Sequence, residues 1–208
     1  IYANGGYFTK PYSYTKILDI KGNLVLEKDV TPKSVISPET SMVMNQLLQR
    51  VINGPNGTGK AAKFGSLPLA GKTGSTSDDK DLWFVGMSPY YIGVVWYGYD
   101  EPNQVRYGYY PTPIIWKNIM EPLHRNLPNN SFPVAGNVVK LPYCGATGNI
   151  AGAYCPIGGE GYYKAYNKPG VCTVHTSAPV QEVNNSTEET QVNEVNQENQ
   201  LKEELQSQ

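Results

Sequence analysis

Lys72, Thr73, Gly74 and Ser75 stand in a row near the middle of the chain. In an extended strand alternate side chains share a face, so the hydroxyls of Thr73 and Ser75 point the same way, and Lys72 adds a fixed cation beside them. Gly74 carries no side chain and lets another backbone lie along the strand. Such a group can grip an anion and pair with an extended peptide at a sheet edge. Taken singly, each residue has a plainer role: Lys72 as a solvated lysine that blunts an edge, Thr73 and Ser75 as ordinary strand formers. The flanking pattern favours the first reading. Leu69-Ala70-Gly71 leads in, Thr76 adds a further hydroxyl, Ser77-Asp78-Asp79-Lys80 makes a turn, and Asp81-Leu82-Trp83-Phe84-Val85-Gly86 follows.

Two other stretches imitate chemical motifs. Ser13-Tyr14-Thr15-Lys16 fits S-x-x-K, a serine nucleophile with its lysine base. That spacing needs a helix to stack Ser on Lys, and here Pro11 and β-forming neighbours predict a strand, which puts the two side chains on opposite faces. Gly54-Pro55-Asn56-Gly57-Thr58-Gly59-Lys60 has the glycines and lysine of a phosphate loop. Ala61 stands where such a loop needs Ser or Thr, and a helix precedes it where a strand should. No nucleotide or other cofactor is expected.

These groups need elements to position them. Tyr2-Ala3-Asn4-Gly5-Gly6 reads as the end of a helix, and residues 7–27 as extended chain with a hairpin turn at Lys21-Gly22-Asn23. Ser37-Pro38-Glu39 starts a helix by N-cap hydroxyl, first-turn Pro and acid; Met44, Leu47, Leu48 and Val51 form its expected core stripe, and Gly54 ends it. Residues 67–76, 82–87 and 90–99 read as three strands whose short connections make an antiparallel meander. Residues 111–123 read as a helix packing through Ile114, Ile115, Ile119, Met120 and Leu123. The class is α+β, an antiparallel sheet flanked by helices.

The Lys72-Thr73-Gly74 triplet, with Asp81-x-Trp83-Phe84-Val85-Gly86 and Pro89 after it, resembles the penicillin-binding transpeptidase family in its class A form. Gly57-Thr58-Gly59 followed by Ala61-Ala62 also looks like that family. The resemblance implies the penicillin-binding and serine β-lactamase-like fold. It implies a D,D-transpeptidase acting on the D-alanyl-D-alanine end of peptidoglycan stem peptides and acylated by β-lactams. Lys72, Thr73 and Ser75 would bind the substrate carboxylate, and the amide of Ser75 would be an oxyanion donor, so Lys72, Thr73, Gly74 and Ser75 are the candidate site residues. Ser75 departs from the Thr usual at its position but keeps a hydroxyl. Asp81 and Trp83 are assigned to turn and core. No helical S-x-x-K and no S-x-N occurs. A nucleophile and base are therefore expected upstream, in the other half of the same protein, together with a glycosyltransferase domain and a membrane anchor on the extracytoplasmic face. Rival readings are a serine β-lactamase and a non-catalytic wall-binding or β-lactam-sensing module.

Beyond the expected transpeptidase part, 1–125, Pro and Asn become frequent and apolar periodicity fades, so 126–175 reads as a separate extension. It holds Cys144, Cys155, Cys172 and His175. Its Cys144-Gly145, Tyr154-Cys155-Pro156 and Cys172-x-x-His175 pattern resembles an extension carried by many class A members. A Cys3His zinc site is a rival reading, against which stands the lack of tight C-x2-C pairs. The expectation is instead a disulfide, Cys144 with Cys155, plus a spare Cys172, and no metal. Residues 176–208 have no aromatic and read as a disordered acidic tail. Up to His175 there are sixteen Lys and Arg against eleven Asp and Glu, and beyond it one Lys against seven Glu. Neither part is basic enough to suggest nucleic acid.

Overall fold

A computed structural model of the chain describes residues 1–177, so the expected acidic tail lies outside the described residues except for its first two. The chain opens on a single 3-10 turn, Tyr2–Asn4, where the end of a helix was expected. β1 (Tyr7–Phe8), β2 (Lys16–Leu18), β3 (Leu24–Glu27) and β4 (Lys33–Ser34) follow as short exposed strands. β1 pairs with β4, and β2 with β3 as the expected hairpin. Its turn is held by Asp19, whose Oδ1 accepts from the amides of Lys21 and Asn23. Ser13 lies before β2, outside any helix, so Ser13 and Lys16 do not make a helical pair.

α1 (Pro38–Asn53) starts where the sequence places it: the Ser37 hydroxyl accepts from the Thr40 amide, and Glu39 sits in the positive first turn. Its buried face differs from the expected stripe. Ser41, Asn45 and Ile52 are buried, whereas Leu47 is 57% exposed. Ser41 turns inward because its hydroxyl donates to the carbonyl of Tyr2, with the amide of Asn45 beside it, tying α1 to the start of the chain. On the outer side of α1, Val43, Met44 and Leu47 line a groove with Tyr162 and Tyr163.

A 3-10 turn, Lys60–Ala62, leads to β5 (Ala70–Ser75), β6 (Asp81–Met87) and β7 (Ile92–Gly98). They form the expected meander, in the order β5-β6-β7, with Thr73 opposite Phe84 and Phe84 opposite Val95. Leu82, Phe84 and Gly86 turn inward, while Trp83 and Val85 face outward. Trp83 is 41% exposed and leans on Trp96 at 6.3 Å, so it is not the core residue expected. Phe84 takes that place, packed with Ile52, Leu69 and Trp116.

α2 (Pro111–His124) covers the inner face of β6 and β7. It buries Pro113, Trp116, Met120 and His124, and leaves Ile119 and Leu123 each 55% exposed, contrary to the expected stripe. The rotation follows from Trp116, which lies over two sheet glycines. A Cβ at Gly86 would stand 2.4 Å from its Cε2, and one at Gly93 2.8 Å from its Nε1. Finally β8 (Val138–Cys144) and β9 (Ile157–Lys164) form a hairpin against α1. The whole is a mixed α+β architecture.

Candidate functional site

β5 is an edge strand, paired among the described residues with β6 alone. Its amides alternate in direction, and the register can be read from its end. The Thr76 N–H donates to Asp81 O, toward β6. Gly74 and Lys72 therefore also turn their backbone groups toward β6, and Thr73 and Ser75 turn theirs to the open edge. The Lys72 ammonium folds over that edge and donates to the Thr73 carbonyl at 2.6 Å. Lys72, Gly74 and Ser75 are exposed and Thr73 is half-buried.

Three contacts fix this strand, and the residues that reach it, Thr58, Tyr110 and Asp81, are not among the site residues expected from sequence. The hydroxyls of Thr58 and Thr73 lie 2.8 Å apart, joining the loop after α1 to the triplet. That loop is the one that imitated a phosphate site; its Lys60 donates to the Pro55 carbonyl instead. Tyr110, just before α2, donates its hydroxyl to the Gly74 carbonyl at 2.5 Å. Desolvation by burial, more than any neighbouring charge, holds the Tyr110 phenol above its ordinary range. Asp81 closes the β5–β6 turn: its Oδ2 accepts from the Thr76 hydroxyl at 2.9 Å and its Oδ1 from the Trp96 indole at 2.8 Å. Asp81 is thus the turn residue expected. Asp81 carries a sequence signal in the Asp-x-Trp-Phe pattern and Thr58 one in the Gly57-Thr58-Gly59 stretch; Tyr110 carries none.

A second serine has a histidine partner. His124 Nδ1–H donates to the Met120 carbonyl, which can only accept, so Nε2 is left to accept from the Ser88 hydroxyl at 2.7 Å. Ser88 Oγ in turn accepts from the amides of Tyr90 and Tyr91. Both residues are buried and bind the β6–β7 turn to α2. The pair pins the fold and offers no surface for a substrate.

The Transpeptidase family, described as the penicillin binding protein transpeptidase domain, matches residues 1–121. The chain belongs to this family. Penicillin-binding protein 1A of Clostridium acetobutylicum is 38% identical over 141 residues, 68% of this chain and 17% of that protein. Penicillin-binding protein 1A of Clostridium perfringens is 33% identical over 193 residues, 90% of this chain and 22% of that protein. The chain therefore spans about a fifth of the length of these relatives. Among solved structures, penicillin-binding protein 1A from Haemophilus influenzae matches with a TM-score of 0.66 at 21% identity, covering 81% of this chain and 31% of that one. That likeness establishes the transpeptidase fold. Within the family fold, β5 is the strand that carries Lys72-Thr73-Gly74.

The cysteines correct the sequence expectation. Cys144, Cys155 and Cys172 are all free, with no Cys144–Cys155 disulfide. Each thiol sulfur instead approaches His175 Nδ1, at 3.5, 3.7 and 3.4 Å respectively. Their electrostatics differ. The Thr147 hydroxyl, then the amides of Thr147 and Ala146, lower the Cys144 thiol below its usual range. Thr147 and the His175 and Val174 amides bring Cys172 down to about 5. Burial raises Cys155. Loop spacing failed as a guide because these side chains are gathered by chain pairing, not by tight turns. Ile150 bridges Tyr143 on one side and Val171 on the other, drawing Cys144 and Cys172 together.

Proposed function

We propose that β5 is one wall of a D,D-transpeptidase active site, and that it binds the carboxylate end of a peptidoglycan stem peptide ending in D-alanyl-D-alanine. The observation that carries this reading is the direction of the Thr73 and Ser75 backbone groups onto an open strand edge beside the Lys72 ammonium. An extended substrate can pair there as an added strand, with Gly74 leaving room for its backbone. Lys72 exchanges its Thr73 carbonyl for the substrate carboxylate, and the hydroxyls on β5 complete the grip. The Ser75 N–H points to where the scissile carbonyl oxygen gains charge. One such donor contributes about a hundredfold to a thousandfold in rate.

The reaction then needs a serine that attacks that carbonyl, expels D-alanine and passes the acyl group to the amine of a second stem peptide. A β-lactam would acylate the same serine. Ser13 lacks a helical lysine and Ser88 is locked to His124, and on this reading the nucleophile and its base lie in the other half of the same protein. The full protein would work at the extracytoplasmic face of the bacterial membrane. Among the described residues no helix is long and apolar enough to cross a membrane.

The test is to label with fluorescent penicillin both the full-length protein that contains this chain and the chain alone, and to map the adduct. The expected result is a covalent adduct in the former on a serine outside this chain, and none in the latter. An adduct on Ser13, Ser75 or Ser88 would overturn the reading.

A further inference from the structure

Cys144 ends β8, Cys155 lies in the connection to β9, and Cys172 and His175 follow β9. Their four ligand atoms lie within 4.8 Å of one another. Hydrogen bonding does not account for the arrangement, because one imidazole nitrogen has a single proton or a single lone pair and cannot serve three sulfurs at once. A tetrahedral metal does account for it. With Zn–S near 2.3 Å and Zn–N near 2.0–2.1 Å, the sulfur-to-nitrogen edge of the tetrahedron is about 3.6 Å. The three observed edges are 3.5, 3.7 and 3.4 Å.

We propose that Cys144, Cys155, Cys172 and His175 bind one zinc ion as a closed structural site. Thiolate and imidazole donors select a borderline-soft metal, and convergence on a single point suits one ion. Four protein ligands leave no open position for a substrate, so the site builds structure and does no chemistry.

The surroundings fit that role. Cys144 and Cys172 are buried, with Cys155 and His175 half-buried. The Cys144 amide donates to Asn149 O, and the Cys172 amide to Ile150 O, each at 2.8 Å, so Ile150 straps the two ligand segments together. The Gly152 amide donates to the Cys155 sulfur at 3.3 Å, the kind of outer contact that orients a metal thiolate. The extension has little apolar core of its own: besides the two ligand cysteines, its buried hydrophobics are Phe132, Ala135 and Ile150. Metal binding supplies the folding free energy that so small a core cannot. The zinc would thereby hold the β8–β9 hairpin in shape against α1.

The test is to produce the full chain with zinc in the medium, purify it under reductant without chelator, and measure metal and thiols. The expected result is one zinc per chain and three thiols that react with a thiol reagent only after chelation. Cobalt exchange should give thiolate-to-cobalt charge transfer and the visible bands of a tetrahedral ion. Cys172→Ser and His175→Ala should each weaken zinc binding by more than the roughly 10- to 100-fold that loss of an outer partner costs. If these variants misfold, the cobalt spectrum and thiol count of the unaltered chain still decide. Isolation without stoichiometric zinc, iron in its place, or a disulfide with one free thiol overturns the assignment, as does unchanged zinc in Cys172→Ser.

Discussion

The hydroxyls of Thr58 and Thr73 meet at 2.8 Å, across fifteen residues of chain. The contact ties the loop that follows α1 to the middle residue of the triplet, so the orientation of Thr73 is set from outside the sheet. Thr58→Ala removes that tether. The expected outcome is about a tenfold slower acylation by penicillin in the full-length protein, worth about 1.4 kcal/mol, with Thr58→Ser restoring most of it. Stopped-flow acylation measures it; an unchanged rate in Thr58→Ala would mean that Thr73 needs no external support.

Lys72 is exposed and, among the described residues, donates to the Thr73 carbonyl. Replacing it should leave folding intact and weaken recognition. Lys72→Ala is expected to lose on the order of 2–5 kcal/mol of transition-state binding, the loss typical of one partner of a desolvated charge pair. Lys72→Arg should recover part of it. Thermal unfolding of both variants should match the parent. Equal acylation rates in Lys72→Ala and the parent would remove this residue from its assigned role.

Much of this arrangement is legible before any coordinates. The meander, the N-cap at Ser37 and the edge triplet follow from turn chemistry, capping and alternation, all of which are local. What could not be read depends on contacts distant in sequence. The stripe of α2 is set by Trp116 sinking onto Gly86 and Gly93, and that of α1 by the Tyr2 carbonyl. Trp83 faces outward because strand parity follows Phe84, which the core claims. Cys144, Cys155, Cys172 and His175 span positions 144 to 175, and the β8–β9 pairing together with the Ile150 bridges brings them together.

Ser88 and His124 test whether proximity of Ser and His implies chemistry. Both are buried, and Ser88 Oγ is already saturated by two amides and the imidazole. Ser88→Ala is expected to cost about 1–3 kcal/mol of stability, because His124 Nε2 loses its partner inside the fold. Penicillin labelling of the full-length protein, below the unfolding temperature, should be unchanged. Loss of labelling in a folded Ser88→Ala protein would make this serine the nucleophile.

Gly86 gives a prediction of the opposite kind, in which adding an atom is worse than removing one. A Cβ there would fall 2.4 Å from Trp116 Cε2 and 2.7 Å from Phe84 Cε1, both rigid aromatic atoms inside the main core. Neither ring can retreat. Trp116 is held by Phe64 at 5.8 Å and Phe84 at 5.5 Å between ring centroids. Gly86→Ala should therefore force α2 off the sheet, at about 1–3 kcal/mol or more for overpacking. Trp116→Ala should cost about 3–5 kcal/mol through the cavity it leaves. Because each single change removes the reason for the other's penalty, the double variant Gly86→Ala/Trp116→Ala should be more stable than the sum of the two losses predicts. Urea denaturation of the three variants measures this; strict additivity would mean that Trp116 and Gly86 do not determine how α2 seats, and that another contact fixes its rotation.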